Sequence, residues 1–313
     1  MMKKIILILM LFYSGGCGIS SKPSEKRIAE TTKTAETILM QRYPNVKLNP
    51  FIPIFADKYS YQNGLLWEFE IPGSGSKIVK MSNLTDIQKL QTLLTYIDKY
   101  HLSEVPKYLL LPEFYHFDPP FHVTAKAEGE DFDAFNRRFY GGNLDTNTYL
   151  QACRSLGEIF AYFHNHAIYH WDPHSSNIFF SQKQNSISII DNDEVVISDM
   201  DHKLQKHIYA FKIIVLKTSP FGVYITLKYG DEQTRKKLSD IKVPYEHLRE
   251  AIATFLTSYF SHLNLTNYDK TPFMQAIVDE IKKRFGYFKP TTLRSIKQEL
   301  LDIANSVSNF AES

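Results

Sequence analysis

The chain has 313 residues, of which 43% are apolar and 22% are charged, and its formal net charge is +2. This composition is typical of a globular protein with a large core and excludes long disordered tracts. The nearly neutral charge gives no reason to expect a nucleic-acid partner, because such binding needs clustered basic side chains.

The first seventeen residues have the layout of a secretory signal. Lys3 and Lys4 are followed by an apolar run, Ile5–Tyr13, which is too short to span a bilayer core of about 30 Å. The run ends in small residues and Cys17, which resembles a bacterial lipoprotein signal, although Ser14 stands where such signals carry an aliphatic residue. We therefore expect an exported protein with a membrane lipid anchor at Cys17; a buried N-terminal element is the alternative. A lipidated Cys17 would leave Cys153 without a disulfide partner, as a small core residue.

Strand and helix patterns follow in order along the chain. After a polar tether, apolar periodicity predicts helices at 27–42, 83–100 and 146–167, and alternation predicts strands at 65–71, 77–81, 107–115 and 121–126. Two short apolar runs, 177–180 and 187–191, flank a polar turn, and the rest is mostly helical, notably at 244–262, 271–285 and 290–311.

This order predicts an α+β fold with two unequal lobes. We expect a signal at 1–17, a tether and helix at 18–44, a small antiparallel β-rich N-lobe at 45–128 and a larger, mainly helical C-lobe at 129–313.

The most informative segment joins the two short apolar runs. His170, Asp172 and Asn177 form a His-x-Asp-x-x-x-x-Asn pattern, and the second run leads to Asp191 and Asp193. In order, these elements resemble the catalytic loop and the metal-binding aspartate of protein-kinase-like enzymes. The loop is similar to that of ABC1/UbiB-type kinases, and the segment around Asp191 to that of aminoglycoside and choline phosphotransferases.

The resemblance implies ATP and Mg²⁺ as cofactors and a role for each residue. Asp172 would orient the acceptor hydroxyl and take its proton, and His170 would brace the loop. Asn177 and Asp191 would supply oxygen ligands to Mg²⁺. Asp193 is either a second metal ligand or a solvated acid.

Upstream residues extend the resemblance. Lys80 lies on the second strand of the predicted hairpin, like the lysine that pairs with the α- and β-phosphates. Gly73 and Gly75 lie in the preceding turn, which either covers the phosphates or is an ordinary hairpin turn. The backbone at Ala127 and Glu128 would bind adenine, since the segment resembles a kinase hinge.

The expected partner of Lys80 is missing. Kinases place a glutamate on the following helix, but residues 81–103 contain none; Asp86, Gln88, Gln91, Asp98 or another segment must replace it. We expect a phosphotransferase acting on a small-molecule or protein acceptor. The alternative is an exported pseudokinase scaffold, which gains support from the low ATP content of the periplasm unless the protein is delivered to a host cell.

A zinc site is a third reading of the same segment. A zinc site needs at least three ligands. The candidates in this segment are His164, His166, His170, Asp172 and His174.

Overall fold

The computed structural model describes residues 25–43, 66–71, 75–82, 84–117, 120–198, 203–218, 220–236, 238–265, 268–284 and 288–305. The predicted signal with Cys17, and Gly73 of the predicted turn, lie outside these residues. Within them the protein is mainly helical with small antiparallel sheets, which confirms the α+β class.

The chain divides into two compact units. The sheet unit contains the described residues up to Glu128 and the later segment Ile190–Val195. The helical unit contains Gly129–Ile189 and the described residues from Val196 onward.

The sheet unit contains one four-stranded antiparallel sheet in the order β1-β2-β4-β3. Its elements are α1 (Glu25–Arg42), β1 (Leu66–Ile71), β2 (Gly75–Met81), α2 (Leu84–Lys99), α3 (Val105–Tyr108), β3 (Phe114–Phe117) and β4 (Pro120–Ala125). The predicted hairpin is present, with Leu66 opposite Lys80 and Ile71 opposite Gly75.

The core of the sheet unit lies between α1 and one face of the sheet. Ala35 and Leu39 of α1 are fully buried against Val79, Val123 and other apolar side chains. Successive strand residues point to opposite faces, so Lys80 lies on the face opposite to Val79. Helix α2 packs against β3, β4 and the turn at Asn192–Glu194.

The predicted strand at 107–115 is wrong over most of its length. A short helix covers Val105–Tyr108 instead, with Pro106 in its first turn, and the strand begins only at Phe114. Proline has no N–H to donate to a ladder but fits the first turn of a helix, and Pro112 cannot donate a ladder hydrogen bond just before the strand begins.

The helical unit contains two small sheets and eight further α-helices among the described residues. A sheet in the order β5-β7-β8 and a pair β6-β9 surround the loop that carries the sequence motif. The elements are β5 (Glu130–Asp131), α4 (Phe132–Tyr140), α5 (Thr146–Asn165), β6 (Ile168–His170), β7 (Ile178–Ser181), β8 (Ser186–Ile189), β9 (Val195–Ile197, of which the last two residues belong here), α6 (Lys203–Thr218), α7 (Phe221–Tyr229), α8 (Glu232–Lys236), α9 (Tyr245–His262), α10 (Thr271–Arg284) and α11 (Pro290–Asn305).

Helices α5 and α9 form the centre of this unit. A side chain at Gly157 would place its Cβ 2.6 Å from the backbone oxygen of Phe255, so only glycine allows this approach. Ser258 reinforces the contact, because its hydroxyl donates to the carbonyl of Arg154 at 2.7 Å. The predicted helices at 146–167, 244–262 and 271–285 are therefore confirmed within one or two residues.

No single helix among the described residues is long and apolar enough to cross a membrane. One bent pair, Leu204–Thr218 with Phe221–Tyr229, meets the length and composition requirements together, with a 73° angle at the break.

Candidate functional site

Three charged residues meet in the sheet unit, and we call them the acidic cluster: Lys80, Asp191 and Asp193. The Lys80 ammonium donates to Oδ1 of Asp191 and to both carboxylate oxygens of Asp193, at 3.2 and 3.3 Å. All three side chains are at most 13% exposed. Strand β2 and a segment more than a hundred residues later in the chain thus place two carboxylates on one ammonium.

The backbone of the Asp191 segment is fixed by a tight turn. Asp191 has φ 62° and ψ 45°, the left-handed region that aspartate tolerates better than most residues. A 3-10 turn, Asn192–Glu194, follows it, and the Asn192 side-chain amide donates to the carbonyl of Leu110 at 3.0 Å. This turn directs the side chains of Asp191 and Asp193 toward the same lysine.

Two carboxylates sharing one cation have unequal proton affinities. Burial raises the pKa of Asp191 to about 6, with the repulsion of Asp193 adding to the rise and the charge of Lys80 opposing it. Burial acts the same way on Asp193, but the charge of Lys80 and the hydrogen bonds with Asp191, Lys80 and the backbone together outweigh it, and the pKa falls. Burial alone would lower the pKa of Lys80, whereas the two carboxylates raise it. The acidic cluster therefore contains two carboxylates and a single ammonium.

A neutral histidine borders this cluster. His122 lies opposite Lys80 in the β2–β4 register, so the two side chains share a face of the sheet. Burial, and next the charge of Lys80, lowers the pKa of His122 to about 4. Its Nδ1 lies 3.1 Å from the hydroxyl of Ser82.

The partners of Lys80 come from another segment and not from helix α2. Of the helix candidates, Asp86 forms an ion pair with Lys89 at 3.7 Å. Asp193 is 7% exposed and bound to Lys80, so the reading of it as a solvated acid is wrong.

A second group of charged residues lies in the helical unit, and we call it the loop cluster: Asp172, His174 and Lys217. Lys217 Nζ lies 2.6 Å from Oδ1 of Asp172, and His174 Nε2 lies 2.6 Å from the same oxygen. Lys217 is on α6, whereas the other two lie on the loop between β6 and β7.

The charge balance of the loop cluster is the reverse of that in the acidic cluster. Burial tends to raise the pKa of Asp172, but the hydrogen bonds and charges of His174 and Lys217 outweigh it and hold the pKa far below the usual range. Asp172 is therefore an ionised carboxylate throughout the physiological range.

Local hydrogen bonds fix the loop that carries Asp172. The backbone N–H of Asp172 donates to Nδ1 of the buried His170 at 3.2 Å. The side-chain amide of Asn177 donates to the carbonyl of Asp172 at 3.1 Å, which leaves its oxygen as the atom suited to a metal. Ser175 donates to Asp133 of α4 at 2.8 Å and ties the loop to that helix.

The predicted hinge leaves β4 and leads into the helical unit. The Lys126 backbone N–H donates to the carbonyl of Ser76 at 3.0 Å, and Ala127 and Glu128 follow outside regular structure. Gly129 has φ +93°, and a Cβ there would lie 2.1 Å from the backbone oxygen of Phe180, so glycine is required.

The turn predicted to cover the phosphates is described only at its last residues. Gly75 begins β2 with φ +75°, and a Cβ there would meet no atom within 4 Å.

The structure gives no support to the zinc reading. No group of three or more His, Cys, Asp or Glu side chains suited to a metal occurs within the described ranges. Two of the proposed ligands have one ring nitrogen bound to another group: His164 Nδ1 lies 2.7 Å from the hydroxyl of Tyr259, and His166 Nδ1 lies 2.8 Å from the carbonyl of Tyr162.

Sequence reasoning missed the roles of Lys217, His174 and His122. One signal in the sequence points to Lys217: it directly follows the apolar run Ile213–Leu216, which predicts a largely buried position, and lysines are seldom buried without a partner. Nothing in the sequence links it to Asp172.

The predicted residues Lys80, Asp191 and Asp193 meet in the sheet unit, and His170, Asp172 and Asn177 meet in the helical unit. The sequence matches no protein-family model, and a search of curated proteins finds no relative.

Proposed function

We propose that this protein is a kinase-like phosphotransferase that transfers the γ-phosphate of ATP to a hydroxyl of a small-molecule or protein acceptor, with its two units acting as the lobes of a kinase-like fold. One observation carries the proposal: the ammonium of Lys80 binds both Asp191 and Asp193. The resemblance assigned Lys80 to the phosphates and the two acids to the metal. These side chains are in contact, although Lys80 and Asp191 are 111 residues apart in the sequence.

The donor set of the acidic cluster fits Mg²⁺. Two buried carboxylates share a single ammonium, and burial, with the repulsion of Asp193 added, raises the pKa of Asp191 to about 6 against the charge of Lys80. Hard carboxylate oxygens are the ligands that Mg²⁺ prefers, and Asn177 would add an amide oxygen. When bound, Mg²⁺ would neutralise the phosphate oxygens of ATP.

The chain's own residues divide the remaining work. Lys80 would bind the α- and β-phosphates, and Asp172 would accept the proton of the acceptor hydroxyl through an oxygen that is held ionised. The backbone at Ala127 and Glu128 would hold the adenine, and the turn at Gly73 and Gly75 would cover the phosphates.

A non-catalytic, nucleotide- or partner-binding scaffold is the second candidate. It is favoured by one observation: Lys80 has no glutamate partner on α2 and binds Asp191 and Asp193, the carboxylates that the resemblance assigns to the metal. The two candidates differ in turnover, since a scaffold binds nucleotide without releasing ADP.

The compartment follows from the N-terminal residues. We infer export and a lipid anchor at Cys17, or delivery into a host cell, where ATP is abundant. Mass spectrometry of the mature N-terminus tests this, since lipidation requires Cys17 to be the first residue and its mass to include the acyl chains.

Thermal unfolding with and without Mg²⁺-ATP tests the nucleotide site. Binding to the folded state alone stabilises it by about 2.7 kcal/mol at 100 times Kd. We expect a rise in the unfolding midpoint that needs Mg²⁺ and is lost in Asp191→Ala but kept in Asp98→Ala, an exposed aspartate of α2. Equal midpoints with and without millimolar Mg²⁺-ATP in the unsubstituted protein would contradict both nucleotide-dependent candidates.

A further inference from the structure

The carboxylate of Asp172 receives two donors on one oxygen. Lys217 Nζ and His174 Nε2 both lie 2.6 Å from Oδ1. The resemblance assigns no lysine at this place, and Lys217 comes from α6, 45 residues after Asp172.

The short distances fix the proton on His174. A nitrogen 2.6 Å from a carboxylate oxygen must carry the hydrogen, because carboxylates only accept. Nε2 of His174 is thus a donor, and its 3.1 Å approach to Lys217 brings two donors together without a bond between them. Because both donors bind Oδ1, Oδ2 is the oxygen of Asp172 that remains for a substrate hydroxyl, as far as the described residues show.

Lys217 is held in place more firmly than a surface lysine. Its side chain is 17% exposed, and its helix is anchored by the buried Phe211 and Ile214. Thr218, the next residue, donates its hydroxyl to the carbonyl of Ile214 at 2.7 Å. The helix therefore fixes the backbone of Lys217, and the contact with Asp172 positions its ammonium.

Distances on the reaction path bring Lys217 within reach of the transferred group. A base accepts a proton from a hydroxyl within about 2.6–3.2 Å, and that hydroxyl attacks phosphorus from about 3–3.5 Å. Because Lys217 binds Oδ1 and the hydroxyl would bind Oδ2, the ammonium lies within about 11 Å of phosphorus along this path, and the flexible stem of lysine can bring it to the phosphoryl oxygens as negative charge spreads over them. Positive charge fixed at that point stabilises the transition state.

We propose that Lys217 is a second phosphate-binding lysine of this enzyme, which holds Asp172 in position and binds the phosphoryl group during transfer. The bond from the acceptor oxygen to phosphorus forms while the bond from phosphorus to the ADP oxygen breaks. ADP leaves with the electron pair, and the hydroxyl proton passes to Asp172. This inference rests on the proposed function.

An acyl phosphate of ATP tests the position of Lys217 directly. A lysine amine that reaches the terminal phosphate attacks the acyl carbonyl, forms an amide and releases ATP, and mass spectrometry of peptides identifies the lysine. We expect acylation of both Lys80 and Lys217 that excess Mg²⁺-ATP suppresses. Lys212 is the matched control, since it lies on the same helix, is 18% exposed and pairs with Glu280 at 3.3 Å.

The outcomes separate the two proposals. Acylation of Lys80 without Lys217 would reduce Lys217 to a structural ion pair and leave the proposed function standing. Acylation of neither would overturn the proposed function and this inference with it. Acylation of Lys212 and Lys217 to the same extent, with or without excess Mg²⁺-ATP, would show that the reagent reports exposure only, and would also overturn the inference.

Kinetics of ADP formation from Mg²⁺-ATP, with water as acceptor, give a second readout. We expect Lys217→Met to lower kcat by about 100-fold with the KM for ATP nearly unchanged, and Lys217→Arg to recover much of the loss. A purely structural role predicts equal activity of Lys217→Met and Lys212→Met once both are folded.

Discussion

The acidic cluster and the loop cluster combine lysine and aspartate in opposite proportions. In the acidic cluster two carboxylates share Lys80, and the pKa of Asp191 is raised to about 6. In the loop cluster one carboxylate receives Lys217 and His174, and the pKa of Asp172 is far below its usual range.

The difference shows that the local ratio of charges, together with burial, decides what each aspartate can do. Burial favours a higher pKa for both Asp191 and Asp172. Only Asp172 has more than one cationic or hydrogen-bonding donor to itself, and these donors lower its pKa in spite of burial. The acid-rich group suits a divalent cation, and the donor-rich group suits an ionised base beside a phosphate.

The largest expected effect separates binding from chemistry. Asp172→Asn removes the proposed base but keeps the shape of the side chain, so ADP formation should fall by about 10²- to 10⁴-fold while stabilisation by Mg²⁺-ATP persists. Asp191→Asn should lose both. Turnover assays beside thermal unfolding check this, and loss of nucleotide binding in Asp172→Asn would contradict the division of roles.

Removal of the shared ammonium should be the next largest effect. Lys80→Met leaves two buried carboxylates without a cation, and we expect the free energy of unfolding to fall by about 4 kcal/mol. Millimolar Mg²⁺ without nucleotide should recover part of this loss, because the metal replaces the missing charge. Urea unfolding with and without Mg²⁺ measures both effects.

Lys77→Met is the matched control for that experiment. Lys77 lies on the same strand and pairs with Glu113 at 2.6 Å, but Glu113 is 42% exposed and can be hydrated when unpaired. We expect a smaller loss and no recovery with Mg²⁺. Equal recovery in both variants would mean that Mg²⁺ acts through general ionic effects.

The neutral histidine beside the acidic cluster predicts a dependence of stability on pH. The folded-state pKa of His122 is lowered to about 4, below the value of about 6.5 in an unfolded chain. The unfolded chain therefore binds more protons between these values, so His122 gives its full contribution above pH 6.5 and loses it as pH falls toward 4. The loss is on the order of 3 kcal/mol.

Urea unfolding from pH 7.5 to 4.5 checks this dependence. His122→Gln should lower the slope. The remaining slope reflects His164, whose pKa is lowered by burial and next by the charge of His207, and Asp191, whose raised pKa of about 6 acts in the opposite direction. An unchanged slope in His122→Gln would show that His122 has the same pKa in the folded protein as in the unfolded chain.

The smallest expected effect concerns the loop that carries Asp172. Asn177→Ala removes the hydrogen bond from the side-chain amide to the carbonyl of Asp172, and we expect a loss of about 1 kcal/mol in the free energy of unfolding. Ser176→Ala, at the exposed neighbouring position, should change little. Equal losses would mean that the hydrogen bond does not stabilise the loop.

Much of the fold could be predicted because its signals are local. Alternation predicted the hairpin of β1 and β2, and helical periodicity predicted α2, α5 and α9, because a buried stripe repeats at the period of its element. The prediction failed at 107–115, where apolar composition suggested a strand and two prolines determined a helix and a break.

The candidate site divides in the same way. The sequence by itself placed Asp172 and Asn177 on one loop and Asp191 after a strand, because their spacing is set within a few tens of residues. Only the tertiary structure decided that Lys80 binds Asp191 and Asp193 and not a residue of α2, and that Lys217 binds Asp172. Ion pairs between distant segments depend on which side chains packing brings within about 4 Å, and no local pattern in a single sequence encodes that.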